Sequence, residues 1–277
     1  MKVLVVGGGY IGRSFAQYAA KKFEVELVDS YGGWKTQPFE GYDSVLFAAG
    51  IAHRKESFDK KTLYFEINRD LAIQVAEKAK HSGVKQFVYL SSMSVFGQAK
   101  EEISEATQPP TEHNTYYGHS KYEAEIALKN LENENFKIAI IRPPMVYGHN
   151  CPGKFATLVR LAKYMPIIPD TKNSRSMIYI DNLCEFLCMK IFETASGEFN
   201  PQNGEYVNTA HLIKLVRRLM GRKTLIIPWP INCLGTAFKS LMYAPLHTEK
   251  YQKYNLEDSV KLSIHSLTAK RTHGDNK

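Results

Sequence analysis

The sequence predicts an α/β fold in which a doubly wound parallel sheet is accompanied by a smaller C-terminal lobe. Over about the first 145 residues, short β-rich runs alternate with helical periodicity. This alternation is typical of βαβ units, whose right-handed crossovers place helices on both faces of a sheet. A glycine-rich turn joins the first strand to the first helix, and after Pro144 the chain becomes rich in Pro, Gly and Asn.

Five β-rich runs are predicted as strands of the sheet. In chain order they are KVLVV (2–6), FEVELVD (23–29), SVLFAAG (44–50), GVKQFVYLSS (83–92) and FKIAIIRPP (136–144). Helices are predicted from the first glycines to about residue 22, through Leu71, Val75 and Ala79, from about Tyr116, and over 181–192. Thr209 is expected to cap a further helix that ends at Gly221.

Two segments after Pro144, RPPMVYGHNCPG (142–153) and YMPIIPDTKNSRS (164–176), are expected to be loops. The apolar stretch INCLGTAFKSLMYAPL (231–246) predicts either a core helix or a helix on a membrane surface. The last dozen residues are expected to fray.

Composition bounds the class of protein. Hydrophobic content is 44% and charged content 23%, which are ordinary globular values. The chain has no apolar run of about 18 residues, so no integral membrane segment is expected, and no signal peptide is predicted. The four cysteines form no metal-binding spacing, so we expect no metal site, a buried Cys184 and Cys188, and a reducing cytoplasm.

The net charge of +8 is compatible with an anionic ligand such as a nucleotide, with an acidic membrane surface, or with a merely basic exterior. Basic clusters with interleaved aromatic residues are absent from the sequence, so no nucleic-acid partner is expected.

The segment VLVVGGGYIGRSFA places Gly7, Gly9 and Gly12 in a GxGxxG pattern between a strand and a helix. Glycines at this spacing permit a tight turn and a close approach of backbone to pyrophosphate, which then lies on the helix N-terminus. The pattern therefore predicts a Rossmann-type dinucleotide site. Its expected cofactor contacts are Gly7, Gly9, Tyr10, Ile11 and Gly12.

Asp29 ends the second predicted strand, about 20 residues after the turn. A carboxylate there can accept both ribose hydroxyls of adenosine and repels a 2′-phosphate. The cofactor is accordingly expected to be NAD rather than NADP. The alternative interpretation of Asp29 is a solvated turn residue.

Three tyrosines stand four residues before a lysine: Tyr18/Lys22, Tyr31/Lys35 and Tyr117/Lys121. The first pair falls on the first helix, and the second pair encloses two glycines, which suit a loop. Tyr117 opens the helix that follows the strand ending in Ser91 and Ser92. We therefore predict that Tyr117 transfers a proton, that Ser92 hydrogen-bonds the reacting oxygen, and that Lys121 lowers the tyrosine pKa and holds the nicotinamide ribose.

Seven motifs together resemble the extended short-chain dehydrogenase/reductases of the NAD-dependent epimerase/dehydratase family, which modify nucleotide sugars. The motifs are GGGYIG, FAAGIAH, INRDLA, YLSSMSVFG, YYGHSK, IRPPMVYG and RSMIYIDNL. The resemblance implies a catalytic set of Ser92, Tyr117 and Lys121. It also implies cofactor contacts from Ala49, Gly50, Asn68, which braces the central helix, and Pro143.

For the substrate, the resemblance implies contacts from Ser92, Ser94, Met145, Lys154 and Arg175. Met145 and Lys154 stand where many relatives have asparagine, and Arg175 matches the arginine that binds the sugar-nucleotide pyrophosphate. Residues 1–145, completed by about 177–195, are then expected to bind NAD(P). Residues 146–176 and 196–277 are expected to form the substrate-binding lobe.

Within that family, the chain is most similar to short bacterial enzymes of capsule and O-antigen sugar synthesis. The resemblance implies a UDP-linked sugar substrate and an enzyme able to form a homodimer. The positive charge and the apolar stretch 231–246 leave peripheral membrane contact open, and cysteine usage favours the cytoplasm. We expect reduction of a UDP-4-keto-6-deoxy-N-acetylhexosamine, because the short span from Asp29 to Ser44 indicates fewer adenosine contacts and easier cofactor exchange. The alternatives are a UDP-hexose or UDP-N-acetylhexosamine 4-epimerase that retains NAD, and a non-catalytic NAD-binding protein.

Overall fold

The computed structural model describes residues 1–52, 61–97, 102–104, 106–110, 115–170, 173–228, 242–244 and 248–269. The strands are β1 (Lys2–Val6), β2 (Glu24–Val28), β3 (Ser44–Phe47), β4 (Gln86–Leu90), β5 (Glu102–Ile103), β6 (Lys137–Ile141), β7 (Met145–Tyr147), β8 (Ile167–Pro169), β9 (Met177–Tyr179), β10 (Gly197–Phe199), β11 (Leu225–Ile227) and β12 (Met242–Tyr243). The α-helices are α1 (Tyr10–Ala19), α2 (Gly33–Thr36), α3 (Lys61–Phe65), α4 (Leu71–His81), α5 (Tyr116–Lys129), α6 (Lys154–Ala162), α7 (Ile180–Phe192), α8 (Thr209–Leu219) and α9 (Leu256–Ala269).

The chain divides into two compact units. The first is Met1–Gln98, Ala106–Pro144 and Leu183–Pro201, and the second is Ala99–Glu105, Met145–Asn182 and Gln202–Lys277. The assignment of cofactor and substrate domains to particular boundaries stays a prediction.

One parallel sheet of six strands organises the first unit, in the order β2-β1-β3-β4-β6-β10. Strand β2 pairs with one side of β1, and β3 pairs with its other side. The order in which successive strands are placed in the sheet therefore reverses between β1 and β3. Crevices at such a reversal, beyond the carboxyl ends of the strands, are where doubly wound sheets bind ligands. The predicted α/β fold with a doubly wound parallel sheet is confirmed.

One edge of this sheet is β2, because the link from Asp29 to β3 contains α2 and no further strand, and the other edge is β10. A loop was predicted around Gly32 and Gly33, and this prediction was wrong: Gly33 begins α2. The link is nevertheless short, as the sequence indicated.

Both faces of the sheet are covered. Residues of β1, β3, β4 and β6 that point to one face pack with α4 and α5 in a buried cluster that also contains Trp34 and Phe39. On the other face, α1 and α7 are joined by a hydrogen bond of 2.8 Å from the Tyr18 hydroxyl to Glu185. The Gln86 amide of β4 also donates to the Lys190 carbonyl of α7 at 2.9 Å.

The helix predicted through Leu71, Val75 and Ala79 is α4, which begins at Leu71. It continues without a break from α3 through a π-helical turn over Glu66–Asp70. A π-turn inside a helix adds one residue to the turn and often marks a functional position.

The second unit contains the parallel pairs β7–β9, β8–β11 and β5–β12 together with α6, α8 and α9. Strands β7 and β8 lie inside segments predicted as loops, and their pairing partners are far along the chain. The cap of α8 is Asn208, whose side chain accepts from the His211 amide at 3.1 Å, and not Thr209 as expected.

Most of the apolar stretch 231–246 lies outside the described residues, but Met242–Tyr243 is β12, a strand rather than the predicted helix. Residues 270–277, predicted to fray, also lie outside them. Cys184 and Cys188 are buried, as predicted, and so is Cys151. Among the helices that can be described, none combines the length and the apolarity needed to cross a bilayer.

Candidate functional site

The glycine turn brings the ends of β1 and β3 into close contact. Gly7 has φ +119°, and a Cβ on it would lie 2.5 Å from the Ala49 amide nitrogen. A Cβ on Gly12 would lie 2.0 Å from the Gly7 carbonyl oxygen. Any side chain at Gly7 or Gly12 would therefore separate β3 or α1 from the turn.

Gly9 has a different part in the same turn. It is the N-cap of α1, and no heavy atom of the described chain lies within 4 Å of the position its Cβ would take. The first amides of α1, from Tyr10 and Ile11 onward, are therefore approachable by an anionic group along the helix axis. This cradle fits the pyrophosphate of a dinucleotide.

Asp29, at the end of β2, caps the turn that leads to α2. Its carboxylate accepts backbone N–H bonds from Tyr31 at 2.8 Å, Gly32 at 3.0 Å and Gly33 at 3.2 Å. The bonds from Gly32, Tyr31 and Gly33 lower the pKa of Asp29, so the group remains ionised at neutral pH. Its predicted contact with adenosine ribose stays a prediction, and the structure adds this capping role.

The segment after β3 lies against α5. A Cβ on Gly50 would lie 3.0 Å from the Asn68 Oδ1 and 3.2 Å from the Lys121 Nζ. Glycine at this position is therefore what allows the backbone to pass close to both polar groups. Ala49 is buried, and the predicted contacts of Ala49 and Gly50 with the cofactor stay predictions.

Asn68 lies in the π-turn and is fully buried. Its Oδ1 accepts from the Ile51 amide at 2.9 Å, and its Nδ2 donates to the Ser120 hydroxyl at 3.1 Å. Ser120 lies on α5 and donates to the Tyr117 carbonyl at 3.0 Å. Asn68 thus links the segment after β3 to the helix that carries Tyr117, which is the bracing expected of it.

Ser92, Tyr117 and Lys121 gather at the carboxyl end of β4. Ser92 follows this strand, and its hydroxyl forms a hydrogen bond with the Tyr117 side chain. Lys121, one helical turn after Tyr117, donates to the Leu90 carbonyl at 2.7 Å and lies 4.6 Å from the Tyr89 ring centroid. The side chains of Ser92, Tyr117 and Lys121, which were predicted as the catalytic set, therefore lie close together.

The pKa values differ from the expectation for this set. Burial raises the pKa of Tyr117, while its hydrogen bond with Ser92 works in the opposite direction. Lys121 is 3% exposed, and burial lowers its pKa to about 7, against a raising effect of Glu125. The pKa of Tyr117 was expected to be lowered by Lys121, but it is raised, because burial of the phenol has the largest effect.

Beneath the site, a buried network was not predicted. Arg142 donates to the Glu125 carboxylate at 2.6, 3.1 and 3.2 Å and pairs with Glu198 at 2.7 Å. Glu125 also accepts from the Ser91 hydroxyl, and Glu198 pairs with Lys129. Burial works to lower the pKa of Arg142, but the bonds and charges of Glu125 and Glu198 raise it. The sequence signal was the i+4 spacing of Glu125 from Lys121, which places an acid on the buried face of α5.

Ser94 and Pro143 lie next to this network. The Ser92 hydroxyl accepts from the Ser94 amide at 3.1 Å and starts the 3₁₀ turn Met93–Phe96. The carbonyl of Pro143, which is itself buried, accepts from the Met93 amide at 3.0 Å. Both residues therefore fix the backbone that carries Ser92.

The remaining residues predicted to contact substrate belong to the second unit. Met145 begins β7 and pairs in register with Met177 of β9, two residues after Arg175. Arg175 exchanges two backbone hydrogen bonds with Val207, at 3.1 and 2.8 Å, and burial lowers the pKa of its side chain. Lys154 is the exposed first residue of α6. Their part in substrate binding stays a prediction.

The other tyrosine–lysine pairs have structural partners or an exposed position. Tyr18 and Lys22 both bind the Glu185 carboxylate, as a link between α1 and α7. The side chain of Tyr31 is 92% exposed.

Comparison with known proteins agrees with this arrangement. A family model described as the NAD dependent epimerase/dehydratase family matches residues 3–201. A UDP-glucose 4-epimerase of Vibrio cholerae is 30% identical over 253 residues, covering 84% of this chain and 75% of the relative. An N-acetyl-α-D-glucosaminyl-diphospho-ditrans,octacis-undecaprenol 4-epimerase of Escherichia coli O157:H7 is 25% identical over 260 residues, covering 84% and 77%.

Solved structures share the fold. A UDP-glucuronic acid 4-epimerase of Bacillus cereus in complex with NAD superposes with a TM-score of 0.77 at 19% identity, covering 97% of this chain and 99% of the other. A dTDP-4-dehydrorhamnose reductase of Clostridium acetobutylicum gives 0.77 at 21% identity, covering 97% and 100%. From the match over residues 3–201 and the relatives across most of its length, the chain belongs to the NAD-dependent epimerase/dehydratase family of enzymes.

Proposed function

We propose that this chain is an NAD(P)-dependent oxidoreductase that reduces the C4 keto group of a UDP-4-keto-6-deoxy-N-acetylhexosamine for capsule or O-antigen sugar synthesis. The observation that carries the oxidoreductase proposal is the cluster of Ser92, Tyr117 and Lys121 at the carboxyl end of β4. A phenol, a hydroxyl and an ammonium in that position can bind a carbonyl oxygen and supply it with a proton.

The residues present fit a nicotinamide cofactor. The open amides of α1 after Gly9 suit a pyrophosphate, and the absence of a side chain at Gly50 keeps the approach to Lys121 clear. When bound, the nicotinamide supplies or accepts the hydride. We propose NAD over NADP because Asp29 is held ionised by three backbone amides and would repel a 2′-phosphate.

Each residue of the cluster then has one task. Ser92 donates a hydrogen bond to the C4 oxygen and orients it. Tyr117 gives its hydroxyl proton to that oxygen as negative charge develops there. Lys121, with a pKa of about 7, holds a proton at Nζ over part of the neutral range and binds the nicotinamide ribose hydroxyls.

Two observations support reduction as the direction of the reaction. Burial raises the pKa of Tyr117, so the phenol is protonated at neutral pH, which is the form that a general acid needs. In addition, β2 is one edge of the sheet and the link to β3 is short, which supports fewer adenosine contacts and exchange of the cofactor between turnovers.

The second candidate is a 4-epimerase that retains its NAD. The names of the relatives from Vibrio cholerae and Escherichia coli O157:H7 favour it. The same three residues would serve, with Tyr117 first accepting a proton from the C4 hydroxyl. We further propose that the second unit binds the UDP-sugar through Arg175, whose planar guanidinium suits a pyrophosphate, with Met145 and Lys154 beside the sugar. A homodimer and a cytoplasmic location stay predictions.

One experiment separates the candidates. The purified protein is offered UDP-4-keto-6-deoxy-N-acetylhexosamine with NADH or NADPH, and in parallel UDP-N-acetylglucosamine or UDP-glucose without added reductant. Loss of absorbance at the reduced nicotinamide band in the first reaction alone supports the reductase. Interconversion of the C4 epimers in the second alone supports the epimerase. Turnover in neither reaction would overturn both.

The role of Tyr117 is tested by Tyr117→Phe, with Tyr18→Phe as the matched control because Tyr18 binds Glu185 away from the site. Loss of a general acid is expected to lower kcat by about 10²–10⁴-fold while NAD binding persists. Turnover of Tyr117→Phe at the level of the Tyr18→Phe variant would refute the assignment.

A further inference from the structure

An exposed apolar patch lies on the second unit. Its members are Leu161, Tyr164, Ile167 and Leu225, whose exposed fractions are 54%, 76%, 55% and 59%. Single exposed apolar residues are common on protein surfaces, whereas neighbouring ones mark interaction surfaces.

The four residues are neighbours in the fold. Leu161 and Tyr164 are one turn apart at the end of α6, where the Tyr164 amide donates to the Leu161 carbonyl at 2.9 Å. Ile167 and Leu225 are paired in register across the β8–β11 ribbon. Ile167 follows Tyr164 by three residues, and the Leu225 amide donates to the Pro166 carbonyl at 2.9 Å, so the helix end and the ribbon are adjacent. We call the region of these four residues the α6–β11 face.

Basic residues outnumber acidic ones around this face, although Asp170 follows β8 directly. Residues 154–169 contain three lysines or arginines, and residues 214–227 contain five, with no aspartate or glutamate in either range. Arg160, Arg222 and Lys223 are exposed, and Lys163 is partly so. Lys214 and Arg218 line a separate groove with Glu205 and Glu257, and Arg218 pairs with Glu257 at 2.8 Å. A groove beside the face adds Lys253 and Lys261, with Asp258 as its one acid among the described lining residues.

The face is also firmly built. Arg217, which is 5% exposed, donates to the Ala162 carbonyl at 2.6 Å, and Arg222 donates to the Lys163 carbonyl at 2.6 Å. These bonds tie the end of α6 to α8, through Arg217, and to the segment between α8 and β11, through Arg222. The apolar and basic side chains are therefore presented together on a fixed backbone.

From this combination we propose that the α6–β11 face docks the protein on an anionic lipid bilayer. Aliphatic side chains and a tyrosine, flanked by lysine and arginine, match the boundary between acyl chains and headgroups, and each base is attracted by the negative surface. A second copy of the chain fits less well, because an interface between two such faces would bring like charges together. The proposal is independent of which reaction the enzyme catalyses.

The test is binding of the full-length protein to sedimented vesicles of phosphatidylcholine alone or with phosphatidylglycerol. The charge variant is Arg160→Gln/Lys223→Gln and the apolar variant is Tyr164→Ser/Leu225→Ser. Matched controls are Lys21→Gln/Lys85→Gln, exposed bases of the first unit, and Phe192→Ser, an apolar residue of that unit that is 75% exposed. Circular dichroism and the urea-unfolding midpoint of each variant check that folding is intact.

We expect binding only to the anionic vesicles, with a partition coefficient that falls as salt is raised. Because a base near such a surface contributes about fivefold, the charge variant should bind roughly 25-fold more weakly. The apolar variant should lose at least about tenfold, and the controls should remain within about twofold to threefold of the wild type.

Absence of wild-type binding to the anionic vesicles would overturn the proposal, as would equal losses in the control variants. A shift of the patch variants from dimer to monomer in sedimentation, without vesicle binding by the wild type, would assign the face to a second copy instead.

Discussion

The buried pair of Glu125 and Arg142 gives the sharpest prediction for the stability of the fold. Glu125→Gln removes one carboxylate charge and keeps the size of the side chain. Glu125 is fully buried and Arg142 is 2% exposed, so water cannot replace the lost bonds. The variant therefore leaves a guanidinium in the core that keeps its ion pair with Glu198 but loses the one with Glu125.

The magnitude follows from these contacts. Removing one partner of a buried ion pair costs about 3–5 kcal/mol. Because Glu198 still pairs with Arg142 and glutamine retains an acceptor oxygen, we expect the low end, about 3 kcal/mol. This is a change of roughly 150-fold in the unfolding equilibrium constant.

The assay is urea unfolding followed by tryptophan fluorescence and circular dichroism at pH 7. With a slope of about 3 kcal/mol per molar urea, the midpoint should fall by about 1 M. The matched control is Glu123→Gln on the same helix, because Glu123 pairs with Arg69 at 2.5 Å while 34% of its side chain is exposed. A partly exposed pair of this kind contributes about 1 kcal/mol or less.

The reasoning fails if Glu125→Gln lies within about 1 kcal/mol of the wild type, or if Glu123→Gln destabilises the protein as much. Either result would mean that Arg142 and Glu125 are not an ion pair that the core depends on.

Three further predictions concern the site. The pKa of Lys121 is about 7 in the folded protein. Between pH 7 and about 10 the unfolded chain therefore carries a proton on Lys121 that the folded chain does not. The free energy of unfolding of the wild type should rise by about 1.4 kcal/mol per pH unit over this range. Urea titrations at pH 7 and 9 should show a smaller rise for Lys121→Met, and an unchanged rise would contradict the lowered pKa. Gly50→Ala puts a methyl group 3.2 Å from Lys121 Nζ and should weaken NAD binding about tenfold by calorimetry; an unaltered Kd would exclude a cofactor passing there. Asp29→Ser should shift the ratio of kcat/KM for NADH over NADPH about tenfold toward NADPH, and a constant ratio would remove Asp29 from cofactor selection.

Much of the first unit was predictable from the sequence. Strands β1, β3, β4 and β6 are continuous apolar runs. The glycine turn directly follows β1, and Tyr117 and Lys121 lie on the helix between β4 and β6. Local pattern and tertiary structure agree there, because buried parallel strands require apolar residues on both faces.

The rest depends on contacts that are distant in sequence. Strands β7 and β8 are three residues each and form against partners tens of residues away, so their Pro- and Gly-rich surroundings predicted loops instead. The direction of the Tyr117 pKa depends on burial, which the spacing of Tyr117 and Lys121 does not reveal. The ion-pair partner of Glu125 on α5 is Arg142, which directly follows β6. A single sequence contains no signal that these two residues lie in contact.

The π-turn at Glu66–Asp70 makes the position of Asn68 depend on residue count as well as residue type. Each residue of an α-helix advances the side chains by about 100°, so the extra residue in this turn offsets the helical face before it from the face after it. Deleting one residue between Phe65 and Leu71 would restore regular winding and turn the Asn68 side-chain amide away from Ile51 and Ser120, even though Asn68 itself were kept. Length variation in this helix is therefore constrained in a way that ordinary substitution is not.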